Sequence, residues 1–163
     1  MEFAENFTKL QGRFSFCLTE TELAGQLNQL AAARKWKTIF CQETALVELL
    51  EKHGFAATFT GDLATCDASF TFCETLIART GSIMLSSALP HGRTGSVYAP
   101  VHVCVAYTSQ LVYDIKDALA SVSKKYGDQL PSLITLATGP SRTADIEKTL
   151  VVGVHGPKEV FCF

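Results

Sequence analysis

The chain is 163 residues long, 47% hydrophobic and 18% charged, which is apolar enough for one folded domain and too apolar for a disordered chain. Lys plus Arg is 14 against 16 for Asp plus Glu, a formal net charge of −2, so there is no positive excess to hold nucleic acid. No apolar run approaches the roughly 18 residues of a bilayer span, and the opening Met1-Glu2-Phe3-Ala4-Glu5-Asn6 lacks the basic start and apolar stretch of a secretory leader; a cytoplasmic chain with no membrane partner is expected.

In chain order, residues 2–10 read as a short helix and 13–17 as a strand. Thr19 and Glu22 form a T-x-x-E capping box ahead of Leu23, Leu27, Leu30 and Ala31, which recur at helical spacing. Residues 37–41 are a strand. A helix follows from about Glu43, with Leu46, Val47, Leu49 and Leu50 apolar and Gly54 as its stop. Residues 55–60 and 68–72 read as strands, 73–79 as a short helix and 82–86 as a strand. After the polar loop Pro90-His91-Gly92-Arg93-Thr94-Gly95 comes a strand at 101–105, where His102 is out of phase with Val101, Val103 and Val105 and reads as a packing or hydrogen-bonding residue. The longest helix is expected over 109–126, ended by Gly127, and 133–137 is a strand.

Short apolar strands separated by helices predict a three-layer α/β/α fold with a mainly parallel sheet covered on both faces, within a single domain spanning 1–163. Six cysteines are present, none in a C-x-x-C arrangement, so the clustered spacing that grips zinc or an iron–sulfur cluster is absent. Most read as buried thiols that pack like small hydrophobes, and no metal site or bound cofactor is expected.

Ligands of open α/β sheets bind beyond the carboxyl ends of the strands, which directs attention to three loops. Thr138-Gly139-Pro140-Ser141-Arg142-Thr143-Ala144-Asp145 offers a close-approach glycine, a proline suited to a first helical turn, hydroxyls and a guanidinium fork for carboxylate or phosphate. A plain helix cap with a solvated arginine explains the same composition. His91-Gly92-Arg93-Thr94-Gly95-Ser96 adds a second cation and a titratable imidazole, or is a surface turn. Gly153-Val154-His155-Gly156-Pro157 either aims His155 at a ligand or holds it structurally. Asp145, Glu147, His91 and His155 are the candidate proton-transfer groups. No nucleophile elbow, P-loop, dinucleotide fingerprint or H-E-x-x-H motif is present.

The run from Thr138 to Glu147, with Thr149-Leu150 and Gly153-Val154-His155-Gly156-Pro157-Lys158-Glu159, resembles the C-terminal signature of the LUD domain family, which includes lactate-utilisation protein C. Thr80-Gly81-Ser82-Ile83-Met84-Leu85-Ser86-Ser87 resembles its T-G-T-L-V-L-S-S segment, and Gly92-Arg93 and Pro100-Val101-His102 follow in the same order. The resemblance implies the fold shared by glucosamine-6-phosphate deaminase, ribose-5-phosphate isomerase and the CoA transferases (NagB/RpiA/CoA transferase-like). It also implies a subunit of L-lactate oxidation to pyruvate, working with iron–sulfur partner subunits resembling LutA and LutB that carry the clusters. The family commonly has Glu where this chain has Arg79.

The expected ligand is a small carboxylate or phosphate held by Thr80, Gly81, Gly92, Arg93, Thr138, Gly139, Ser141, Arg142, Thr143, His155 and Gly156, with the Arg93 and Arg142 loops meeting at one rim. A homodimer is left open. The alternatives are a stand-alone enzyme of the sugar-phosphate isomerase or CoA-transferase type, and a paralogue that kept the fold without the chemistry.

Overall fold

A computed structural model describes residues 2–146 and 149–163. Its elements are α1 (Glu2–Lys9), β1 (Arg13–Phe14), α2 (Glu20–Arg34), β2 (Thr38–Phe40), α3 (Thr44–Lys52), β3 (Thr58–Thr60), β4 (Ala68–Thr71), β5 (Thr75–Ile77), β6 (Ser82–Ser86) and β7 (Val101–Cys104). They continue with a 3-10 turn (Thr108–Gln110), β8 (Leu111–Val112), α4 (Ile115–Tyr126), β9 (Ile134–Ala137), β10 (Arg142–Ile146), β11 (Thr149–Val152) and β12 (Glu159–Cys162).

The middle layer of this three-layer α/β fold is a six-stranded sheet in the order β1-β12-β7-β4-β2-β3, parallel at every pairing. Both faces of the sheet are covered, and the central strands β4 and β7 are buried at every residue. On one face, Ile39, Phe70, Val103 and Phe161 pack against Leu23, Leu27 and Ala31 of α2 and Leu46 and Leu50 of α3. Thr19 caps α2 as its spacing predicts, its hydroxyl accepting from the Glu22 amide at 3.1 Å; the Glu22 carboxylate reaches one residue further back, to the Leu18 amide at 2.8 Å.

The opposite face is covered by α1 and a four-stranded mixed sheet, β8-β5-β6-β9, through Phe3, Phe7, Leu76, Ile83, Leu85, Cys104, Val160 and Cys162. Helix α4 packs on the far side of that small sheet, where Ala118 and Val122 meet Ile77 and Met84. Cys41, Cys66, Cys73, Cys104 and Cys162 are buried free thiols and Cys17 is partly exposed.

Four expectations are corrected. Residues 75–77 form a strand and not a helix, because Thr75, Leu76 and Ile77 are zipped between β6 and β8. The helix expected from 109 starts at Ile115, since Leu111 and Val112 pair with β5 and Asp114 provides the N-cap, with Asp117 closing a capping box. That leaves α2, with 15 residues, as the longest helix. The helix expected after Pro140 is a β-hairpin, β10 against β11, rich in the branched residues that favour strands. The strand at 13–17 ends at Phe14, with Ser15 making one further bond to the Cys162 carbonyl at 2.9 Å.

Candidate functional site

In a parallel sheet every strand delivers its outgoing loop to the same edge. Phe40, the last residue of β2, pairs with Ser69 of neighbouring β4. Glu43, three residues beyond β2, and Glu74, three beyond β4, therefore emerge side by side. Both are buried, each within electrostatic reach of the other and of Lys125.

Their surroundings differ. The side chain of Glu74 is 3% exposed and fully partnered: it accepts from the Ser86 hydroxyl (2.6 Å), the Tyr126 hydroxyl (2.6 Å) and the Lys125 ammonium (2.8 Å). Burial pushes its carboxyl upward, but these three donors outweigh burial and hold it below the ordinary glutamate range. Glu43 heads α3 without making a side-chain cap bond, and its Oε1 has no hydrogen-bond partner. Burial raises its carboxyl, reinforced by the negative charge of Glu74 and only partly offset by the Phe72 amide and Lys125. The two neighbouring carboxyls are thus shifted in opposite directions.

Histidines line the same interior. His91 is buried with neither ring nitrogen partnered, and burial lowers its pKa while Glu74 opposes the shift. His102 bonds the Thr71 hydroxyl at 2.8 Å and is lowered to about 3 by burial and by His91, so it is neutral. Arg93, two residues past His91, donates to Ser132 Oγ at 2.8 Å, and Ser132 bonds Ser87 Oγ at 3.1 Å. Ser87 adjoins Ser86, the Glu74 ligand. His91 thus lies within electrostatic reach of Glu74, while Arg93, itself exposed, reaches the Ser132–Ser87 pair one residue along from Ser86.

The other expected site residues lie elsewhere. Ser132 precedes β9 and Arg142 follows it, so the two arginines stand at opposite ends of that strand and build no common pocket; the shared rim is corrected. Thr80, Ser82 and Thr138 form a hydroxyl chain, 2.8 Å at each link, at the β9 end away from Arg93. The adjoining glycines seat α1. A Cβ on Gly81 would lie 2.4 Å from the Phe7 amide nitrogen and one on Gly139 2.2 Å from the Leu10 carbonyl, and both have positive φ.

Ser141 and Gly156 do meet, but their neighbourhood spends its backbone groups internally. The Ser141 amide donates to the Pro157 carbonyl (2.9 Å) and the Gly153 amide to the Ser141 carbonyl (2.8 Å), so neither amide is left for an anion. Lys158 bonds Pro100 next to the amino ends of β7 and β12, the sheet edge opposite to that of Glu43 and Glu74. Arg142 and His155 are exposed there and Thr143 is half-buried. Glu147 lies outside the described residues, as does the side chain of Asp145. Arg79 pairs with Asp114 at 2.7 Å, far along the fold from the carboxylate pair, and steadies the start of α4.

Sequence reasoning missed Glu43, Glu74, Ser86, Lys125 and Tyr126. The available signal was a lone carboxylate, Glu74, inside the apolar stretch from Phe70 to Ile77. Among the described residues no group of three or more His, Cys, Asp or Glu is arranged to hold a metal ion, and no helix is long and apolar enough to cross a membrane.

The chain is similar over 94 residues, at 39% identity, to an uncharacterised protein of Neisseria meningitidis serogroup B, covering 58% of this chain and 40% of that one. It is 40% identical over 89 residues to a lactate utilization protein C of Bacillus licheniformis (53% and 37% covered) and 36% identical over 93 residues to one of Bacillus subtilis strain 168 (56% and 39% covered). The matches thus span about two fifths of these relatives' length. A crystal structure of a DUF162 family protein from Deinococcus radiodurans has the same fold, with a TM-score of 0.69 at 20% identity over 99% of this chain and 92% of that one. The LUD domain family model matches residues 1–163, and the chain belongs to the LUD domain family.

Proposed function

We infer that this chain serves lactate utilisation as the subunit that binds the small acid, with electron transfer left to iron–sulfur partner subunits. The observation carrying this reading is the unlike carboxyl pair beyond the carboxyl ends of β2 and β4: Glu74 bound by three donors and shifted down, Glu43 buried with an unpartnered oxygen and shifted up. Environments that push two carboxyls apart divide the roles of proton donor and fixed charge. Arg93 and the half-exposed Lys125 supply the positive groups that a carboxylate needs, and Glu43 is the group that exchanges a proton with the bound hydroxy or oxo acid. Similarity to proteins named lactate utilization protein C supports the choice of acid.

Calorimetric titration of the purified chain with L-lactate and pyruvate tests this. Saturable heat is expected, and Arg93→Ala weakens binding at least tenfold, about 1.4 kcal/mol, while Arg142→Ala leaves it unchanged. No saturable heat, or sensitivity to Arg142→Ala alone, overturns the site. Co-purification with iron and labile sulfide tests the partner half. The same carboxyl pair also favours a second reading, proton transfer at carbon by a sugar-phosphate isomerase or CoA-transferase type of enzyme. Turnover of aldose phosphates or CoA thioesters by the chain alone would establish that reading instead.

A further inference from the structure

A separate concavity opens at the same edge of the main sheet, over β1, β12 and β7 and away from the Glu43–Glu74 side. Its volume is about 650 Å³, inside the roughly 300–1,000 Å³ range of small-molecule sites. Its walls include α1 through Phe3, β1 through Phe14, α2 through Leu23, α3 through Leu49, β5 through Leu76 and the chain end through Phe163. At its mouth stand Phe16, Leu18, Tyr107 and Leu111, exposed by 55%, 82%, 48% and 46%. Four large apolar side chains around one opening form the kind of contiguous patch that a soluble surface otherwise avoids.

The charge of the lining selects the occupant. Glu20 is the single charged residue in it, and it holds no Lys, Arg or His. A carboxylate or phosphate entering here would lose water, find no cation and meet a like charge. The lining therefore offers lactate and pyruvate no cationic side chain. The hydroxyl residues Ser15, Thr19, Tyr107 and Thr108 supply polar partners in a mainly apolar lining. The buried Phe3, Leu23 and Leu76 give the cleft depth beneath its mouth, as a small-molecule site requires.

We propose that this cleft binds an uncharged small molecule with an apolar body and one hydrogen-bonding end, at a site separate from that of the small acid. The test uses the 163-residue chain and N-phenyl-1-naphthylamine, an uncharged fluorophore with a single N–H, beside its anionic counterpart 8-anilinonaphthalene-1-sulfonate. The neutral probe saturates one site per chain and binds at least tenfold tighter than the sulfonate. Phe16→Asp and Leu18→Asp each weaken it at least tenfold, and Thr108→Trp, which fills the cleft without adding charge, does the same. Tyr98→Asp, at an exposed side chain outside the lining, leaves it unchanged; all four variants keep the parent's melting transition.

Unsaturable binding, an equal loss in Tyr98→Asp, or a sulfonate that binds as tightly as the neutral probe overturns the proposal. So does a dimer in sedimentation velocity that Leu18→Asp dissociates, which would make the mouth a contact between copies of this chain.

Discussion

Replacing Glu74 by leucine keeps the side chain's bulk and removes everything its carboxylate accepts. A hydrogen bond to a charged partner contributes about 1.5–3 kcal/mol, but the three donors are stranded unequally. Lys125 is 53% exposed and turns to water, so its share is about 1 kcal/mol or less. Tyr126 is half-buried and recovers part of its loss in the same way. Ser86 is buried; its oxygen still accepts from the Ala88 amide at 3.3 Å, but its O–H is left without an acceptor, at a cost of about 1–3 kcal/mol. The sum is a destabilisation of about 3 kcal/mol, which for a chain of this length lowers the melting temperature by about 6–12 °C.

Glu74→Gln costs less, about 1 kcal/mol, because its amide oxygen still accepts from Lys125 while its N–H groups face hydroxyls that can reverse their roles. The triple variant Glu74→Leu, Ser86→Ala, Lys125→Met regains part of the loss, since it removes two of the three stranded donors and leaves the half-buried Tyr126 hydroxyl and the Ala88 amide without their former partners. Thermal and urea unfolding followed by circular dichroism checks the order. If Glu74→Leu is as stable as the parent, or the triple variant is worse than the single one, the carboxylate is not the centre of this network.

Glu43 gives the opposite sign. Burial raises its carboxyl above the ordinary 4.5, so the folded state binds protons more tightly than the unfolded one, and stability falls as pH rises from the ordinary glutamate value through the folded one. Glu43→Gln removes this loss: parent and variant are equally stable at acidic pH and the variant is the more stable at pH 8, as urea midpoints across that range would show; parallel curves refute it. Gly81→Ala and Gly139→Ala each lose about 3 kcal/mol, the sum of roughly 1–2 kcal/mol for positive φ and a clash with the α1 backbone or the residue after it. Gly92→Ala, with positive φ but open space around its Cα, loses only about 1 kcal/mol. Equal melting temperatures for the three would separate these glycines from the seating of α1.

Local signals located what local interactions decide. The T-x-x-E start of α2, the Gly54 stop after α3, the strands at 68–72, 82–86 and 101–105 and the inward phase of His102 were all legible. Short apolar runs are ambiguous between strand and buried helix, and Thr75–Ile77 shows why: only its neighbours β6 and β8 make it a strand. The Pro140 segment misleads for a related reason. A proline followed by hydroxyl and acidic residues carries a helix-start pattern, but the partner for residues 142–146 arrives a few residues later in β11, and cross-strand pairing outweighs the start signal.

The candidate site was hidden because it has no motif. Its groups come from positions 43, 74, 86, 91, 93 and 125–126, separated by most of the chain and joined only by the parallel pairing of β2 with β4 and by α4 lying over the small sheet. What the sequence does display as motifs, the T-G pair at 80–81 and T-G-P at 138–140, marks places where a Cβ would collide with the backbone of α1 or of the residues just after it. Glycines that allow close approach are as conspicuous in a packing seam as in a phosphate loop, so their spacing alone does not tell a seam from a site. Buried charge does, because a carboxyl kept from water with an oxygen unpartnered costs stability that packing never requires. On that criterion the loop of His91 and Arg93, whose His91 lies within reach of Glu74, is the arginine loop we propose for the acid, ahead of the Arg142 hairpin, whose neighbouring amides already have carbonyl partners.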